Sequence, residues 1–222
     1  MADLWVFGYG SLMWRPGFAY EDVQPATLMG LRRCFCIYSV HHRGSPERPG
    51  LVLGLDSGGA CQGLAFRVGA DQARQTLAYL RAREQVNGVY RETHVPLDVA
   101  GYDRPVMGIA YVAERAHPSY ARRLPIGEQA RLIRAARGLS GTNLDYLVST
   151  LEHLATLGIR ERELERVRVL AGALFARKDN MAVRGQRIAG LVRAVARDPA
   201  RAPRLKRGDR KRFMHRQHDK GA

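Results

Sequence analysis

The chain has 222 residues, 36 Lys and Arg against 21 Asp and Glu, and a formal net charge of +15. That length suits one domain, or one domain with an extension, and is enough to bury a sizeable core. No run of about 18 apolar residues occurs, and Met1-Ala2-Asp3 does not begin a basic region followed by an apolar stretch, so neither a membrane span nor a secretory leader is expected.

The first predicted element is a buried strand over 4–7, an apolar run that leads straight into Gly8-Tyr9-Gly10-Ser11. Glycines on both sides of Tyr9 let the backbone turn and approach a ligand without a Cβ in the way. N–H groups in such a turn bind carboxylates and oxyanions. Tyr9 and Ser11 add two hydroxyls. Two neighbouring motifs are excluded. A dinucleotide fingerprint starting at Gly8 needs glycine at position 13, where Met13 stands. A nucleophile elbow around Ser11 needs glycines where Tyr9 and Met13 stand, so Ser11 is a poor covalent nucleophile. A plain tight turn after a first strand remains the alternative for this stretch taken alone.

Further strands are predicted over 28–40, 51–55, 60–68, 92–99 and 106–112, separated by Gly and Pro clusters. Cys34 and Cys36 flank Phe35 and should point to one sheet face. With Cys61 they make three cysteines, without a Cys-x-x-Cys pair or a zinc spacing completed by histidine. They read as buried small apolar residues in a chain suited to the reducing cytoplasm. One helix interrupts the strands, with Asp71 as N-cap, Ala73, Leu77 and Leu80 on one face, and Gly88 as the stop. Glu84 continues that apolar face at helical spacing. Burial disfavours a carboxylate's charged form and raises its pKa, making it a better proton acceptor near neutral pH. The alternative is an ordinary helix-end glutamate paired with Arg81 or Arg83.

From Gly127 onward the period becomes helical, with predicted helices over 128–137, 143–157 and 161–177. The pattern is α+β rather than repeated βαβ. Beyond Arg177 the composition changes. Residues 178–222 hold 14 basic and 4 acidic residues, a local net of +10. Ile188, Leu191, Val192 and Val195 have amphipathic helical spacing, and after Asp198-Pro199 the polybasic composition predicts disorder. The expected organisation is therefore a domain over 1–177 and a basic C-terminal extension over 178–222. Such a tail offers weak electrostatic binding to nucleic acid or an anionic surface. Only Phe213 is aromatic between Arg201 and Lys220, and no helix-turn-helix or zinc-finger spacing occurs, so no dedicated nucleic-acid site is expected.

Four ordered blocks carry a family resemblance. They are the stretch from Trp5 to Trp14 with Tyr9-Gly10-Ser11-Leu12 at its centre; Arg32-Arg33 with His42-Arg43-Gly44 and Arg48-Pro49-Gly50; Arg83-Glu84-Gln85-Val86-Asn87-Gly88-Val89-Tyr90; and Ser140-Gly141-Thr142-Asn143-Leu144-Asp145-Tyr146-Leu147. Together they resemble the γ-glutamylcyclotransferase superfamily, and more closely its ChaC branch. The resemblance implies a small mixed β-sheet or barrel packed with helices, and cyclisation of a γ-glutamyl group. In that reaction the substrate's own α-amine attacks its γ-carbonyl, so no metal, nucleotide or other cofactor is called for. The implied substrate is glutathione, giving 5-oxoproline and Cys-Gly. Glu84 is the implied general acid/base, and Val6, Phe7, Gly8, Tyr9, Gly10 and Ser11 form the implied substrate-binding stretch. Tyr90 and Tyr146 are candidate phenolic donors to substrate, with core or sheet-edge tyrosines the alternative. His42, in the polar loop 41–46, is a candidate contact for the glycine end. Other readings stay open: a cyclotransferase for other γ-glutamyl amides or dipeptides, a basic nucleic-acid-binding protein, and a non-catalytic binding module.

Overall fold

The structure, a computed structural model, describes residues 2–85 and 87–173. Five strands close into a barrel: β1 (Leu4–Gly8), β2 (Asp22–Ser39), β3 (Gly50–Val68), β4 (Tyr90–Val99) and β5 (Val106–Ala113), in the order β1-β3-β2-β4-β5. Every pairing is antiparallel except β1 with β5, where Trp5 faces Gly108 and Val6 faces Ile109 in parallel register. The fold is thus α+β around a small mixed barrel, as the motifs implied. Its interior is filled by alternate side chains such as Phe7, Phe35, Leu51, Leu55, Leu97 and Ala110.

β2 and β3 are longer than their apolar runs suggested. The 51–55 and 60–68 segments are one strand, because Gly58 and Gly59 take positive φ (95° and 75°) and form a kink inside β3 instead of ending it. β2 begins at Asp22, not at position 28. Pro25 lies in the ladder opposite Leu64 and accepts from Ala100 N–H through its carbonyl, so the proline interrupts no necessary donor. Cys34, Cys36 and Cys61 are buried and unpaired, the first two in one cluster with Ile37, Val89 and Ala113.

α1 (Ala73–Glu84) opens after Gln72 rather than Asp71 and ends at Glu84; Gly88, at φ 72°, turns the loop into β4. α2 (Ile126–Ala135) stops two residues before its expected end, because Arg137–Gly138 (β6) pairs with Gly141–Thr142 (β7). α3 (Asn143–Thr156) is capped by the Thr142 hydroxyl, which accepts from Asp145 N–H at 3.0 Å. A fourth helix, α4, is described over 162–173. The rest of the 161–177 expectation, and those for the basic segment 178–222, lie outside the described residues.

Two loops meet at one end of the barrel. Leu139 and Ser140 donate backbone N–H bonds to the carbonyls of His41 and His42 (both 2.9 Å). Asn143, fully buried, donates to Leu51 O at 2.7 Å and accepts from Leu51 N–H at 2.6 Å. Gly44 and Gly50 approach so closely that a Cβ on either would collide with backbone of the same loop. The second and fourth sequence blocks are therefore one joint, which fixes the start of α3 over the barrel.

Candidate active site

At this end of the barrel a narrow chamber of about 50 Å³ is lined by Tyr9, Gly10, Ser11, Leu12, Leu53, Glu84, Tyr90, Tyr111 and Tyr146. It shares Ser11, Glu84, Tyr90 and Tyr146 with an outer groove of about 620 Å³. The larger surface groove of about 1060 Å³, between α3 and α4, contains none of the motif residues. The chamber gathers the first and third sequence blocks with Tyr146 of the fourth.

The turn after β1 places Tyr9, Gly10, Ser11 and Leu12 on the chamber wall. Ser11–Met13 form a single 3₁₀ turn whose bonds begin with Met13 N–H to Gly10 O at 2.9 Å, so the N–H groups from Tyr9 to Leu12 precede the first of them. Tyr9 donates its hydroxyl to Tyr111 O at 2.9 Å. Arg33, whose side chain is wholly buried, donates to the carbonyls of Tyr9 and Gln62 and pairs with Glu161 just ahead of α4. Val6, Phe7 and Gly8 stand behind the turn. Val6 and Phe7 are fully buried, paired with Phe66 and Ala65 across the ladder, and none of the three lines the chamber.

Glu84, the last residue of α1, lies on the wall common to chamber and groove, its side chain 18% exposed. Burial raises its pKa above the ordinary glutamate value, and the adjacent Arg83 guanidinium opposes that rise. The helix-end pairing considered from sequence is present as well: Arg83 Nε lies 3.0 Å from Glu84 Oε1, while Arg81 is held two-pronged by Glu92 at 2.7 and 2.9 Å. Arg83 also donates to Ser11 Oγ (3.1 Å), Arg15 O (2.6 Å), Pro16 O (3.2 Å) and the Tyr79 hydroxyl (3.0 Å). One guanidinium thus ties the carboxylate to the turn. Because Ser11 Oγ accepts that bond, its own proton is left to donate elsewhere.

The surrounding phenols are neutral. Burial raises the pKa of Tyr9, Tyr90 and Tyr111, and pushes that of Tyr146 up to about 12. Tyr90 donates to Leu53 O at 2.7 Å. His42 lies in the outer groove, outside the chamber, and its Nδ1 is 3.1 Å from Ser140 Oγ. Sequence reasoning missed Tyr111 and the Leu53 carbonyl; the only mark on Tyr111 was a hydroxyl inside an apolar strand. Among the described residues no group of three or more His, Cys, Asp or Glu side chains is placed to hold a metal ion. No described helix is long and apolar enough to cross a membrane.

The arrangement offers a half-buried carboxylate, neutral hydroxyls and turn N–H groups around one small space, which suits proton transfer beside a developing oxyanion. The model of the ChaC-like protein family matches residues 4–172. The chain belongs to the ChaC-like family. This ChaC-like chain is 36% identical over 173 residues to a glutathione-specific γ-glutamylcyclotransferase of Escherichia coli K12, covering 78% of the chain and 74% of that relative. It is 40% identical over 160 residues to glutathione-specific γ-glutamylcyclotransferase 1 of Homo sapiens, covering 70% and 71% of the two. Its fold matches the crystal structure of a yeast γ-glutamyl cyclotransferase specific to glutathione, with a TM-score of 0.70 at 21% identity over 78% of this chain and 99% of the other.

Proposed function

We propose that this ChaC-like protein cleaves glutathione by cyclising its γ-glutamyl group, with Glu84 as general acid/base. The observation that carries the assignment of Glu84 is its place. Among the described residues it is the only carboxylate lining either the chamber or the groove, and it stands on the wall between them. The γ-glutamyl group occupies the chamber, folded so that its α-amine faces its own γ-carbonyl. Positioning of this kind contributes up to about 7 to 11 kcal/mol in favourable cases. Glu84 takes a proton from the α-ammonium; the amine attacks the γ-carbon and closes a five-membered lactam. The oxyanion formed on the γ-carbonyl oxygen faces donors of the turn from Gly8 to Ser11, continuous with the strand residues Val6 and Phe7 that hold it. As the oxyanion collapses, the γ-amide C–N bond breaks and Glu84 returns its proton to the leaving nitrogen; the ring nitrogen gives up its second proton to the released amine, so one of the three ammonium protons stays on the lactam and two end on Cys-Gly. The products are 5-oxoproline and Cys-Gly, and no water is consumed.

The same proposal takes 1–177 as the catalytic domain and 178–222 as an extension outside it, supported by a family match that ends at residue 172. It assigns the protein to the reducing cytoplasm, supported by three unpaired cysteines. The test is release of 5-oxoproline and Cys-Gly from glutathione by the wild type beside Glu84→Gln, with folding of both checked by circular dichroism. Loss of a positioned base predicts a fall of about 10²- to 10⁴-fold in kcat with the fold retained. A folded Glu84→Gln enzyme of undiminished rate removes the role given to Glu84, and a folded wild type without product removes glutathione as substrate.

A further inference from the structure

The chamber admits the γ-glutamyl head, but the leaving group must extend into the outer groove, whose charged lining is unequal. Among the described residues Arg43, Arg83, His41 and His42 line it, against Glu84 as the one acid. Arg83 is already occupied by Ser11, Arg15, Pro16, Tyr79 and Glu84, and His42 by Ser140. Arg43 differs. Its guanidinium lies over the Tyr146 ring, 5.2 Å from the centroid, and Nη1 donates to Thr142 O at 3.2 Å. Its backbone N–H is held by Ser39 Oγ at 3.0 Å. Among the described residues no carboxylate pairs with it, so its remaining N–H donors have no anionic partner.

We infer that Arg43 is a specificity-determining residue that selects γ-glutamyl substrates ending in a free carboxylate, by binding that carboxylate in the outer groove. The inference rests on the cyclotransferase reading and adds the part of the substrate that reading leaves open. Tyr146, which Arg43 covers, is common to both spaces, so the cation stands beside the passage from the chamber. Two residues of extended chain reach about 7 Å beyond the scissile bond, which carries a C-terminal carboxylate out of the chamber and into the groove. Stacking on the ring and the bond to Thr142 fix the guanidinium before substrate arrives, so little freedom is lost on binding. A dipeptide leaving group with a free C-terminus is favoured over a simple amine by this contact alone.

The experiment compares glutathione with its C-terminal glycinamide, which keeps the γ-glutamyl group and the cysteine but ends in a neutral amide. Formation of 5-oxoproline is followed to give kcat/KM. Wild type should prefer glutathione by roughly 10- to 100-fold, the range for a charge-assisted hydrogen bond. Arg43→Met should lose that preference by falling on glutathione while holding its rate on the glycinamide, and Arg43→Lys should keep part of it. The ratio is taken on one preparation, so a variant that is partly unfolded leaves it unchanged. Equal wild-type rates on the two substrates overturn the inference without any variant. Equal losses on both substrates in Arg43→Met also overturn it, since they would mark a purely structural arginine. Absence of 5-oxoproline from both substrates with folded wild type instead overturns the cyclotransferase reading, and the inference with it.

Discussion

Glu84 is held between two opposed influences, and both come from its immediate surroundings. Desolvation at the end of α1 raises its pKa, whereas the Arg83 guanidinium at 3.0 Å lowers it, with burial the larger. A carboxylate that accepts the α-ammonium proton must be ionised, so the rate rises with pH through the Glu84 pKa. The acid limb of the pH profile should therefore lie above the range of an exposed glutamate. Arg83→Met removes the lowering influence and leaves the burial, which moves the limb to higher pH. Arg83→Lys keeps a cation near the carboxylate and should return the limb toward wild type, even though it cannot rebuild every bond to Ser11, Arg15 and Pro16. Profiles of kcat/KM against pH, which report groups of the free enzyme, check this for the three enzymes. An unmoved limb in Arg83→Met would mean that Glu84 is not the group titrating.

Between elements, the buried Arg33 links β2 to the turn after β1 and to the segment ahead of α4. Glu161→Gln leaves that buried guanidinium without its counter-charge, a change that costs about 3 to 5 kcal/mol when a buried pair is broken. It should lower Tm strongly while sparing kcat/KM at temperatures where the protein is folded, because the bonds to Tyr9 O and Gln62 O survive. Arg33→Met removes those bonds too, frees the Tyr9 carbonyl, and should lower kcat/KM as well as Tm. Thermal melts beside steady-state kinetics distinguish the two variants; a parallel loss of kcat/KM in both would refute the separate role for the turn contact. This pair also shows why the site was only partly legible in the sequence. The Gly8 to Ser11 turn and the helical phase of Glu84 are local patterns, readable from neighbours a few residues away. The partners Arg33 and Glu161 lie 128 residues apart, and the Tyr9 hydroxyl meets the Tyr111 carbonyl across 102. Nothing in the local pattern specifies such contacts. The strand limits failed for a related reason: Pro25 and the Gly58-Gly59 pair carry local signals for ending a strand, yet the pairing of β2 with β3 takes Pro25 into the ladder and carries the two glycines through as a bulge between the Ala60 and Ser57 pairs.

For the molecule as a whole, charge and chemistry separate along the chain. Residues 178–222 carry 14 basic against 4 acidic residues, while 1–177 carry 22 against 17, so +10 of the +15 lies beyond the proposed catalytic domain. Every described residue lining the chamber and groove belongs to positions 9–146. Turnover of glutathione should therefore survive removal of the basic extension, with kcat/KM of a chain ended at Arg177 within about twofold of full length once a melt shows that it is folded. Binding to polyanions should not survive. Each Lys or Arg that neutralises a phosphate releases condensed counterions, so affinity for DNA falls linearly in log–log terms with salt, at a slope of about 0.9 per contact on duplex DNA. The full chain should accordingly be retained on immobilised DNA at low salt and eluted steeply as salt rises, and the shortened chain should show both less retention and a shallower slope. Equal weak retention of the two would assign the effect to the +5 of the body and leave the extension without a role as a polyanion-binding arm. A shortened chain that stayed folded yet lost turnover would place part of the catalytic unit beyond Arg177 and refute the proposed boundary.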